Sequence, residues 1–167
     1  MRRLTLVLVV LGLLSLPLMA QDNVKAEVFG GYMYEHLGGD FGDINANGWD
    51  ASLTGNINKN FGITGDFSGA YKNSAHIYTY GGGPVVAYDF GGKINPFVHA
   101  IFGGYTAGGG GGSGINGFMM KFGGGLDVGV SKVLAIRLAQ FDWDYYKVHG
   151  VSEDSNVNIS TGIVLRF

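Results

Sequence analysis

The stretch from Asn156 to Phe167 alternates along its whole length. Val157, Ile159, Thr161, Ile163, Leu165 and Phe167 fall on one parity. Asn158, Ser160, Gly162, Val164 and Arg166 fall on the other. A period of two places successive side chains on opposite faces of a strand. One face here suits an apolar medium and the other a wetter place. Helical spacing would not keep the two sets apart.

The same rule recurs through the chain and predicts seven earlier strands: Lys25 to Glu35, Asn47 to Ile57, Phe61 to Tyr71, His76 to Tyr88, Asn95 to Tyr105, Gly117 to Val130 and Val133 to Lys147. In the second, Trp49, Ala51, Leu53, Gly55 and Ile57 oppose Asp50, Ser52, Thr54 and Asn56. In the third, Phe61, Ile63, Gly65, Phe67, Gly69 and Tyr71 oppose Gly62, Thr64, Asp66, Ser68 and Ala70. Two strands carry a local exception. Pro84 cannot donate to a ladder, which predicts a bend or bulge in the fourth. Arg137 has the opposite parity to Gln140, Asp142 and Asp144, so a bulge near Ala139 would bring all four polar groups to one side.

Each strand is long enough to cross a bilayer at a tilt, which takes about 9–11 residues. The connections after the odd strands read as longer and polar: Leu37 to Ala46, Lys72 to Ala75, Ala107 to Gly114 and Val148 to Ser155. Those after the even strands read as mostly shorter: Asn58-Lys59-Asn60, Asp89 to Lys93 and Ser131-Lys132. That alternation fits an outer-membrane barrel better than a soluble sandwich. The fold expected is therefore all-β, an eight-stranded antiparallel up-and-down transmembrane barrel, formed by residues 21–167.

Composition sharpens this. Charged residues make up only 14% of the chain, against about 25% in ordinary domains. The 31 glycines follow no three-residue period. A net charge of -2 offers no basic excess for nucleic acid. The absence of cysteine removes disulfides, thiolate nucleophiles and Cys-ligated metals from consideration. Residues 1–20 read as a signal peptide: Arg2 and Arg3, an apolar run from Leu4 to Leu16, Pro17, then Leu18-Met19-Ala20, with cleavage expected after Ala20.

The two parities define two walls. Trp49, Phe61, Ile63, Phe67, Phe118, Phe122, Ile159, Ile163 and Phe167 would face lipid. Trp49, Phe61, Tyr71, Tyr88, Tyr105 and Tyr145, near strand ends, would form interfacial girdles. Glu27, Asp50, Asp66, His99, Lys121, Asp127, Arg137, Asp142, Asp144 and Arg166 would point inward. Eight strands leave an interior that side chains can just fill. Charges buried there must be paired or hydrated. An interior charged network of Glu27, Asp50, Asp66, Lys121, Asp127, Arg137, Asp142, Asp144 and Arg166 is expected, acting as a plug rather than a solute path.

The mature part resembles the small eight-stranded outer-membrane β-barrels, the OmpA-like porin-type barrel domain. The resemblance rests on Glu27-Val-Phe-Gly-Gly-Tyr-Met-Tyr34, Pro96-Phe-Val-His-Ala-Ile-Phe-Gly103, Gly123-Gly-Gly-Leu-Asp-Val128, Arg137-Leu-Ala-Gln-Phe-Asp142 and a closing strand ending in Arg166-Phe167. It implies an outer-membrane location, with outer-membrane lipid and lipopolysaccharide around the barrel. It also implies periplasmic chaperones and the barrel-assembly machinery as partners during biogenesis. Phe167 would belong to the signal that machinery reads. The resemblance covers the barrel domain and not the peptidoglycan-binding domain that many OmpA-type proteins carry, so a cell-wall tethering role is not expected.

The function this points to is a structural or interaction role in the outer membrane, as a monomer and without a cofactor. A narrow porin for small solutes, a lipid-modifying enzyme and a surface adhesin are the alternatives. An enzyme would draw on His149, Ser152 and Glu153 in one polar loop. The four histidines, His36, His76, His99 and His149, show no metal-ligand spacing. The glycine tract from Ala107 to Gly114 leads into Phe118-Met119-Met120 and not into a helix, so it reads as a loop and not a phosphate cradle.

Overall fold

The computed structural model describes residues 24–38, 44–88, 93–109, 114–148 and 151–167; at 148 and 151–153 only the backbone is described. Eight strands close into one antiparallel barrel in chain order. They are β1 (Ala26–Leu37), β2 (Ile44–Asn56), β3 (Phe61–Lys72), β4 (Ala75–Ala87), β5 (Ile94–Gly109), β6 (Ile115–Gly129), β7 (Leu134–Val148) and β8 (Val151–Arg166). The closing seam joins β1 to β8, with a register running from Glu27 opposite Arg166 to His36 opposite Val157. Backbone bonds at the chain ends continue that seam: Lys25 N donates to Phe167 O at 2.7 Å, and Phe167 N donates to Ala26 O at 2.9 Å. Closure leaves no edge strand, so every ladder has a partner. The expected signal peptide, residues 1–20, lies outside the described residues.

The alternation sorts the walls as its period requires. Phe29, Met33, Phe97, Ile101, Met119 and Val164 are buried, while Leu53, Ile63, Val98, Phe141 and Ile163 on the other parity are each more than half exposed. The bulge in β7 is present. Arg137 faces Gly162 and Gln140 faces Ser160, so three steps on β7 match two on β8. Arg137, Gln140, Asp142 and Asp144 consequently all lie buried. A second shift, with the extra residue in β8, falls between Asp144 and Tyr146.

Several expectations need correction. Among the described residues, the longer connections predicted at the end away from the termini are mostly strand. β2 begins at Ile44, β5 runs to Gly109, and β8 begins at Val151. The β3–β4 connection is only Asn73-Ser74, with Asn73 at φ 53°. Asparagine tolerates that left-handed conformation better than most side chains, which makes the tight reversal possible. The predicted alternation of loop lengths therefore does not hold. What the chain has there is strand extending past the span a bilayer needs, built from polar residues whose composition alone suggests loop. At Pro84 there is no bulge. The β4–β5 register passes from Gly82 opposite Phe102 to Val85 opposite His99 without an extra residue, and Pro84 sits in that gap in the ladder. The β6–β7 connection is four residues, 130–133, not two.

Candidate functional site: the barrel interior

All the predicted inward-facing groups lie on the inner wall, in two charged groupings. At the end carrying the termini, Arg137 donates to Asp127 through Nε at 2.8 Å and Nη2 at 3.1 Å. Its guanidinium lies 4.2 Å from the ring centres of both Phe29 and Phe97. Arg166 Nε lies 3.1 Å from Glu27 Oε1, and its Nη2 lies 3.9 Å from Asp127 Oδ2. A fork pairing with a carboxylate while both its faces rest on rings is a use of arginine that lysine could not replace.

The second grouping spans the middle. Lys121 on β6 reaches across the interior to Asp66 on β3 at 2.9 Å, and to Ser68 Oγ at 3.1 Å. Ser68 and Thr79 share a hydrogen bond of 2.6 Å. Gln140 ties the two groupings together. Its Oε1 accepts from Arg137 at 2.6 Å, and its Nε2 donates to Asp142 at 2.7 Å and to Asp50 at 3.4 Å. Ser160 donates to the same Asp50 oxygen at 3.1 Å. Asn158 donates to Asp144 at 2.7 Å.

One pair depends on a glycine. His99 Nε2 and Asp142 Oδ1 are 2.7 Å apart, although β6 lies between their strands. The residue between them in register is Gly123, opposite both His99 and Asp142. A Cβ there would come within 1.9 Å of the Asp142 oxygen and 2.2 Å of the Phe141 carbonyl. The missing side chain is the space through which the two groups meet.

Sequence parity left several participants unnamed. Glu35 accepts from Tyr146 OH at 2.7 Å, with both buried. Asn156, whose Oδ1 accepts from Gly38 N at 3.1 Å, is buried as well. Glu35 shares the parity of Glu27 and Phe29, so the signal was present. Tyr105, expected in a girdle, is instead 2% exposed and packs edge-on against Tyr146, ring centres 4.9 Å apart. It shares the parity of Phe97, His99 and Ile101, and parity overrode its position near a strand end. Phe167 closes the seam through its backbone, as described above. His149 lies outside the described residues, and only backbone is described for Ser152 and Glu153.

Space inside is limited. A polar cavity of about 180 Å³ opens at the end with the termini, lined by Thr54, Thr64, His99, Arg137 and Arg166 among others. Beyond the charged middle, toward the other mouth, Met33, Leu37, Ile77, Ile101, Tyr105, Met119 and Tyr146 pack into an apolar cluster inside the barrel. Among the described residues, no group of three or more His, Asp or Glu side chains is arranged to hold a metal ion.

Eight strands, chain-order pairing, full closure and a charged interior under an apolar outer wall are together a known architecture. The fold is that of the small eight-stranded outer-membrane barrels. The chain matches the crystal structure of Neisserial surface protein A with a TM-score of 0.73 at 16% identity, over 86% of this chain and 97% of that one. It matches the N-terminal β-barrel domain of Pseudomonas aeruginosa OprF with a TM-score of 0.63 at 11% identity, over 87% and 100%. It matches Ail, the attachment invasion locus protein of Yersinia pestis, with a TM-score of 0.56 at 17% identity, over 87% and 99%. No protein-family model matches, and no curated protein is significantly similar in sequence. At these identities the likeness is one of fold.

Proposed function

We propose that this chain is an integral outer-membrane barrel with a structural or interaction role, and that its interior is a plug. The observation carrying the membrane assignment is the outer wall. Tyr32, Leu53, Ile63, Val98, Phe141 and Ile163 are each more than half exposed, and exposed apolar side chains, such as Tyr80 and Val86 on β4, recur on every strand. Soluble monomers rarely expose contiguous apolar surface beyond a few hundred Å². A belt of this kind needs lipid, and a closed barrel is the strand architecture that satisfies its backbone there.

The plug reading rests on the cross-lumen contacts of Lys121 and Gln140 and on the apolar layer above them. The chain is read as a monomer without enzymatic activity. Outer-membrane lipid and lipopolysaccharide would surround it, and Phe167 would be recognised by the barrel-assembly machinery after chaperone escort. The termini would lie on the periplasmic side.

Heat-dependent gel mobility of protein recovered from outer membranes tests the membrane assignment. An unheated sample in dodecyl sulfate should run as a compact band that shifts on boiling. Identical mobility, or recovery from the soluble fraction, would refute it.

A further inference from the structure

The inner wall changes character along the barrel axis. Ion pairs occupy the end with the termini and the middle, yet the layer nearest the opposite mouth is mainly apolar, with Asn156 its buried polar member. Leu37, Ala46, Ala70 and Ile77 form it, with Ile44 and Ala107 packed against them. A mouth open to water has no reason to be lined this way. The residues are also small at that mouth: Ala46, Ala70, Ala75, Ala107 and two glycines leave a cavity of about 470 Å³ above that floor. This lies within the range of small-molecule sites, about 300–1,000 Å³. Lys72, exposed at the rim, and His76 are the two basic side chains among the described residues lining it, and no carboxylate is among them.

We propose that this cup binds the acyl chain of an anionic amphiphile, with the chain on the apolar floor and the acidic head beside Lys72. The chemistry selects that occupant. A polar solute would leave its hydrogen-bonding groups unpaired against Leu37 and Ile77, and a cationic head would meet Lys72. The polar cavity at the other end has none of these features. The site asks nothing of the plug, because the acyl chain rests on it without passing through.

The chain contains no cysteine, so Ala107→Cys places a single thiol in the cup wall. Its alkylation by N-ethylmaleimide is followed in nanodisc-held full-length protein, with dodecanoate as the probe. Saturable protection is expected. Decanoate, two methylenes shorter, should need roughly fifteen times the concentration, from just under fourfold per methylene at about 0.8 kcal/mol each. Adding Lys72→Glu should raise the half-protecting dodecanoate concentration about two- to fivefold, the range of an exposed ion pair. No protection by dodecanoate overturns the proposal, as does a thiol that resists alkylation without ligand, which would mean the chain already fills its own cup. Equal protection by dodecyltrimethylammonium overturns the anionic assignment. Ala75→Cys, at the exposed start of β4 on the rim, serves as a second reporter should Ala107→Cys fail to fold.

Discussion

Replacing Arg137 with methionine should cost about 3–5 kcal/mol of stability, the range for breaking a buried ion pair on one side. The structure explains why the cost should be large. Asp127, 3% exposed, takes two hydrogen bonds from Arg137. Its other cationic neighbour, Arg166 Nη2, stands 3.9 Å away and beside Glu27. Methionine keeps an apolar stem between the Phe29 and Phe97 rings, so the loss reports mainly the orphaned carboxylate and the unpaired Gln140 oxygen. Removing both partners, as Asp127→Leu with Arg137→Met, should recover at least about 2 kcal/mol of that loss, because no uncompensated charge then remains. Urea titration in phospholipid vesicles, read by the fluorescence of Trp49 and Trp143, measures all three. A single-variant loss under about 1 kcal/mol, or a double variant as costly as its two parents added together, would show that the fork pair does not hold the interior as described.

Gly123→Ala should destabilise by about 1–3 kcal/mol by overpacking the gap between His99 and Asp142; an unchanged urea midpoint would mean the strands simply move apart. Asn73→Ala should lose about 1 kcal/mol because alanine is strained at φ 53°, whereas Asn73→Gly should match or exceed the parent in the same titration. Deleting Phe167 should lower outer-membrane levels far more than Ser152→Ala does, as judged by immunoblots of membrane fractions; equal levels would remove the assembly role given to Phe167.

Much of this fold was legible because a barrel wall obeys a strict period of two. The β7 bulge could be read from one parity conflict, Arg137 against Gln140, Asp142 and Asp144. Only a single extra residue lets all four share the interior. The closing seam followed from the two-faced last strand. What parity does not carry is how far strands extend past the membrane. Outside lipid, polar residues such as Asn45 and Glu153 pair in ladders as readily as apolar ones, so composition alone ends the strands early. Nor does parity tell which polar partner a buried group selects. Lys121 meets Asp66 from three strands away, and the His99–Asp142 pair depends on a residue with no side chain at all. Tyr105 was misplaced for a different reason: an aromatic near a strand end suggested the girdle, while its own parity pointed inward to Tyr146.

Planar-bilayer conductance of the purified, folded chain tests the plugged barrel most directly. With Lys121 and Gln140 bridging the lumen beneath an apolar layer of Met33, Ile101 and Met119, the wild-type chain should insert and leave the current at the level of bare lipid. Steady, voltage-driven single-channel steps from the wild-type chain would contradict it.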